Sequence, residues 1–115
     1  MRYALLICTD ENTVAAASAE DTATMMKEYD VFTQDIAARG ILEAGERLRP
    51  TTDATTVRVR DGEVLLSDGH FAETKEQMGG YYIVDCKDLD EAVEVATKIP
   101  SARNGSIEVR PIWEH

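Results

Sequence analysis

The amino-acid sequence predicts an α+β fold, ferredoxin-like βαββαβ with an inserted β-hairpin. Three observations predict it. Apolar runs of strand length alternate with two segments of helical period in the order strand, helix, strand, strand, helix, strand. An Asp-Gly dipeptide, Asp61-Gly62, separates two further strand-like runs. The first strand and the YYIV strand are apolar on both faces, although two helices suffice for only one.

Arg2 to Cys8, RYALLIC, is a short apolar run bounded by the polar segment TDEN, which suits a buried strand. From Ser18 to Arg39 the period changes: Met25, Tyr29, Phe32 and Ile36 fall on one helical face, with Met26 and Ala37 beside them. Ser18 with Asp21 forms a capping pair, and Gly40 sits where a left-handed C-cap belongs. Ile41 to Pro50 reads as a second strand, with a bulge or bend at Gly45. TTVRVR and EVLLS then flank Asp61-Gly62, the pair favoured by a two-residue type I′ turn because both positions need positive φ.

Asp68-Gly69 is a second turn signal, FAETKEQM allows one or two helical turns, and Gly79-Gly80 resets the chain. YYIVDC is a strand by its aromatic and β-branched content. Asp88 caps a second helix, with Glu91 reaching back to it; Leu89, Ala92, Val93, Ala96 and Ile99 keep the helical period, and Pro100 stops it. SIEVRPIWE is the last strand, Ile107, Val109 and Pro111 alternating with Glu108, Arg110 and Ile112.

Tyr3, Leu5 and Ile7 point to one side of the first strand and Ala4, Leu6 and Cys8 to the other, as Tyr81 and Ile83 oppose Tyr82 and Val84. A second copy is the simplest cover for the face the helices leave bare, so a homodimer is expected.

The chain of 115 residues forms a single domain spanning residues 1–115, large enough to bury a core without disulfides or a structural metal. A net charge of -10 and a pI near 4.5 argue against nucleic acid and against an anionic membrane surface. Without a membrane-crossing run or a leader-like N-terminus, a cytoplasmic location is expected. Cys8 and Cys86 lie in apolar strand-like runs outside any metal-binding spacing, and read as buried reduced thiols. In a ferredoxin-like sheet they are expected near the same ends of neighbouring parallel strands, which leaves their proximity open. No cofactor is indicated by a phosphate-cradling Gly loop, a Ser-His-Asp spacing or a metal cluster.

Asp68-Gly69-His70-Phe71-Ala72-Glu73-Thr74-Lys75-Glu76, then Gly79-Gly80-Tyr81-Tyr82 and Glu108-Val109-Arg110-Pro111, resemble the DGPF branch of the YCII-related family. The MRYALLI opening and Gly40 to Leu48 are similar to it as well, so the resemblance covers nearly the whole chain. It implies a ferredoxin-like subunit, a dimeric α+β barrel and a cleft lined partly by these motifs, with no settled activity. Two departures matter. His70 stands where the family pattern has Pro, and Ser18 to Arg39 contains no histidine, which puts a family-style His and Asp mechanism in doubt here.

The candidate catalytic residues are His70 and Asp68, and the candidate substrate-binding residues are Glu73, Lys75, Glu108 and Arg110. A carboxylate at Asp68 or Glu73 would orient the His70 imidazole and raise its pKa for acid/base work near neutrality. The plainer alternative is a turn histidine beside an Asx-turn aspartate. Glu73, Lys75 and Glu76 form either a polar rim, with Lys75 holding an anionic group, or a solvated turn. Glu108 and Arg110 share one strand face, so Arg110 either clamps a carboxylate or bridges Glu108 as architecture. Tyr3, Tyr81 and Tyr82 read as core or interface aromatics. Two functions remain open: a small cofactor-independent lyase or isomerase acting on a small aromatic or anionic molecule, and a non-catalytic ligand-binding or regulatory module.

Overall fold

In the computed structural model, which describes residues 1–69 and 75–114, the chain starts with strand β1 (Arg2–Thr9) and a short helix α1 (Glu11–Ala16). The long helix α2 (Ala19–Ala38) returns it to β2 (Leu42–Arg47), and the hairpin β3 (Thr55–Arg60) and β4 (Glu63–Asp68) follows. Then come β5 (Gln77–Asp85), α3 (Leu89–Thr97), a 3-10 turn Pro100–Arg103 and β6 (Ser106–Pro111). Four strands make one sheet in the order β2-β5-β1-β6, every pairing antiparallel, while β3 and β4 pair only with each other. This is the expected ferredoxin-like arrangement with its inserted hairpin.

Local chemistry sets the boundaries. The Ser18 hydroxyl accepts from the Asp21 backbone N–H at 3.0 Å and opens α2; Gly40, at φ 75°, closes it. The Asp88 carboxylate accepts from the Glu91 N–H at 2.9 Å, and Glu91 accepts from the Lys87 N–H at 3.0 Å, a capping box shifted by one donor. At the hairpin tip Asp61 and Gly62 both take positive φ, 51° and 78°, as a type I′ turn requires.

The core lies between the helices and one sheet face. Tyr3, Leu5 and Ile7 of β1 alternate inward with Tyr82 and Val84 of β5, against Phe32 and Ile36 of α2 and Ala92, Val95 and Ile99 beyond. Leu5, Val84, Ala92 and Val95 are wholly excluded from solvent, and burial of each of the Leu and Val side chains contributes roughly 1.5–3 kcal/mol. Phe32 meets Tyr82 edge-on at 5.2 Å, and the Tyr82 hydroxyl is hydrogen-bonded to Thr33 Oγ1 at 2.8 Å.

Several expectations are corrected. The bulge in β2 falls at Glu43, between the Leu42–Val84 and Ala44–Ile83 pairs, and not at Gly45. Gly45 is needed for close approach, since a Cβ there would sit 2.7 Å from Tyr82 Cδ1. Gln77 to Gly80 lie inside β5, so the helical turns expected over FAETKEQM do not reach them; 71–74 fall outside the described residues. Ala37 is exposed, and Leu89 and Val93 stay about half exposed in a groove between α3 and β6 that they line with Ile107 and Val109. The polar segment after β1 forms α1, capped by the Asp10 carboxylate. Cys8 and Cys86 lie at opposite ends of the sheet: β1 and β5 run antiparallel, Cys8 pairing with Met78 while Arg2 pairs with Asp85 beside Cys86.

The molecule is a slab, 47 × 44 × 18 Å, with a radius of gyration of 16.0 Å, against about 13 Å for a closely packed chain of this length. The hairpin stands away from the body, with Val57, Val59, Val64 and Leu66 all exposed.

Candidate functional site

Strand register composes the sheet face that no helix covers. Ala44, Ile83, Ala4 and Arg110 form one row across the four strands; Glu46, Tyr81, Leu6 and Glu108 form the next. Met78, Cys8 and Ser106 form a third, at the end where the hairpin is rooted. The face is thus apolar at its centre and charged at both edges. Glu108 and Arg110 point away from the helices because their strand neighbours Ile107 and Val109 pack on the core.

At the third row several connections converge. The Ser106 hydroxyl donates to Glu76 at 2.6 Å, tying the start of β6 to the segment that enters β5. The Glu11 carboxylate accepts from the Thr51 N–H at 2.9 Å and from its hydroxyl at 2.7 Å, and the Glu11 N–H donates to Gln77 Oε1 at 3.2 Å. These bonds fix α1, the hairpin root and the start of β5 at one end of the sheet. Sequence reasoning missed Ser106, Glu11, Thr51 and Gln77, because a bond between residues 30 to 66 apart leaves no local pattern.

The structure brings two of the candidate residues together. Arg110 Nη2 lies 2.7 Å from Glu108 Oε2, both side chains more than half exposed. Asp68 ends β4 opposite Thr55, and Lys75 lies in an exposed bend before β5. His70 and Glu73 lie outside the described residues. The Cys8 thiol has its pKa raised, first by burial and then by the negative charges of Glu108 and Glu76. It stays protonated near neutrality and is a poor nucleophile or metal ligand. Burial likewise raises the Cys86 thiol, with Glu91 adding to it. Among the described residues no three His, Cys, Asp or Glu side chains gather as a metal site. The uncovered face thus sets a guanidinium, carboxylates and an aromatic ring around an apolar floor.

Fold and face together define a ferredoxin-like α+β domain with one packed and one uncovered sheet face, the latter edged by an ion pair. The YCII-related domain model matches residues 1–115, and the chain belongs to that family. It is 41% identical over 114 residues to an uncharacterized protein of Rhizobium meliloti (strain 1021), covering 97% of this chain and 92% of that one. Among the described residues no helix is long and apolar enough to cross a membrane.

Proposed function

We propose that two copies pack their uncovered sheet faces together as a dimeric α+β barrel of the DGPF type, and that the cleft at the hairpin end binds a small anionic or aromatic molecule. The observation that carries this reading is the apolar floor of Ala4, Leu6, Tyr81 and Ile83, edged by Glu108 and Arg110. Burying that floor favours association, and Arg110 is placed to exchange Glu108 for a ligand carboxylate. The chemistry is a cofactor-independent lyase or isomerase reaction, in which His70 takes a proton from the substrate and returns it. Asp68 or Glu73 orients the imidazole, and Lys75 or Arg110 anchors the anion. Reduced thiols at Cys8 and Cys86 suit a cytoplasmic location.

A second reading, a non-catalytic ligand-binding or regulatory module, is favoured by the chemistry of the described residues, where the one thiol at the site is held protonated. Replacing His70→Pro, with binding of small aromatic and carboxylate compounds followed by NMR, separates the two. Turnover lost with binding kept supports the enzyme. Binding alone in both proteins supports the module, and no binding by either, with wild type folded, sinks both.

A further inference from the structure

We infer that the β3–β4 hairpin is an arm that lays its apolar face on a second copy of the chain; this rests on the dimer proposed above. Register puts Val57 opposite Leu66 and Val59 opposite Val64, so these four side chains share one face, each 58% to 67% exposed. Thr56, Arg58, Arg60, Glu63 and Ser67 occupy the other face with Leu65. An isolated two-stranded hairpin is at best marginal in water, and a contiguous patch of large aliphatic side chains marks an interaction surface.

Area and charge point to a second copy as the occupant. Four strands about 4.8 Å apart, paired over six residues of about 3.3 Å rise, give the open sheet a face of roughly 400 Å². A stable interface buries roughly 800 Å² per partner, so the sheet face supplies half. The hairpin face spans roughly 200 Å² on the same spacings. Laid on the partner it adds that area and the like area it covers, and two-fold symmetry gives both gains to each copy. The arm closes the deficit.

The hairpin Thr55–Asp68 carries two Arg against two Asp and one Glu, net -1 in a chain of net charge -10. It is therefore a segment of low charge that adds little repulsion on approach to another acidic chain, and its two Arg, balanced by acidic neighbours, offer no basic cluster to an anionic membrane or nucleic acid. Its root lies at the end of the same sheet, where Leu48 N–H donates to Gly79 O of β5 at 2.9 Å, and the hairpin's own base is closed by Gly69 N–H on Ala54 O at 2.7 Å. An arm rooted there is within reach of a partner seated on the sheet face.

The test is sedimentation over a dilution series with Val57→Lys and Leu66→Glu combined. These two are cross-strand partners, so the variant keeps an opposite-charge pair and the hairpin itself. Val59→Lys with Val64→Glu, the neighbouring pair, serves if the first fails to fold. The dimer dissociation constant is expected to rise at least tenfold, with amide exchange in Thr55–Asp68 protected in the wild-type dimer and fast on dilution. A wild-type dimer whose affinity is unchanged by folded arm variants overturns the arm and leaves the sheet-face dimer standing. A wild-type chain that stays monomeric overturns both, and a dimer broken by Leu6→Arg but not by the arm variants assigns the interface to the sheet alone.

Discussion

Replacing Gly45→Ala tests the packing on which the sheet order depends. A Cβ at Gly45 would sit 2.7 Å from Cδ1 and 3.0 Å from Cε1 of Tyr82, and 3.3 Å from the Tyr81 carbonyl oxygen. The ring cannot simply rotate away, because its other contacts are fixed: an edge-on Phe32 at 5.2 Å and a hydroxyl bonded to Thr33 at 2.8 Å. Overpacking of this kind costs about 1–3 kcal/mol, and loosening the Tyr82–Thr33 bond costs about 1 kcal/mol more. Against this, Ala in place of Gly lowers the entropy of the unfolded chain by about 0.4–1 kcal/mol. The net expectation is a loss of about 2 kcal/mol, or roughly 10 °C in Tm for a domain of this size. Urea unfolding at one fixed protein concentration measures it, so that any dimer contributes equally to both proteins. The same substitution in a Tyr82→Leu background should cost less than half as much if the ring is the cause. A Gly45→Ala protein as stable as wild type would refute the argument that Gly45 serves close approach.

Four further outcomes are expected. Asp88→Ala removes the carboxylate that accepts from Glu91 N–H and should cost about 1 kcal/mol in chemical denaturation. Arg110→Met breaks an exposed pair, so stability should change by less than about 0.5 kcal/mol while titration calorimetry shows any carboxylate ligand bound at least tenfold more weakly. Arg103 holds the Glu28 carboxyl below its ordinary value of 4.5. The stability from that pair is therefore full above pH 4.5 and lost as pH falls through the depressed value. Wild type and Arg103→Gln should differ in Tm near neutrality and converge in acid, and a difference that persists there counts against the pair. Cys8 and Cys86, both with raised pKa and at opposite ends of the sheet, should react slowly with a thiol reagent in the native protein. Both should titrate after unfolding without reductant, and a Cys8–Cys86 disulfide would contradict the antiparallel register.

The fold was legible where one local rule acted alone. The opposed apolar sets of β1, the Phe32 and Ile36 stripe, the Asp61-Gly62 turn and the Ser18 and Asp88 caps each rest on neighbours a few residues apart. Misreadings came where long-range packing overrode local preference. Gly79 and Gly80 look like a break because Gly is depleted in strands, yet a Cβ at Gly80 would sit 2.9 Å from the Glu46 carbonyl oxygen, so the neighbouring strand requires Gly. Helix α1 has six residues and no buried one, too little for a periodic signal. At the candidate site the charged residues were legible as residue types, but their grouping depends on register. The Glu108–Arg110 pair was readable from its strand spacing, whereas Ser106 with Glu76 and Glu11 with Thr51 join distant segments.

The hairpin and the candidate site belong to one stretch of chain, which has a mechanical consequence. The hairpin Thr55–Asp68 follows β2 in the chain and precedes β5, and just before β5 Glu76 is bonded to Ser106 of β6. Thr51, at the arm's root, is held by Glu11, whose own N–H is bonded to Gln77 at the start of β5. A force on the arm is thus delivered to the end of the sheet, beside Cys8 and two residues from Glu108. If a second copy orders the arm, it also orders the root and restricts the segment bearing Asp68 and Lys75. Assembly and ligand binding should then be coupled in both directions, as linkage requires. The arm variants should weaken ligand binding although no altered residue touches the cleft, and a ligand in excess should tighten the wild-type dimer by the same factor. Equal ligand affinity in dimeric wild type and dissociated arm variant would show that one subunit completes the site by itself.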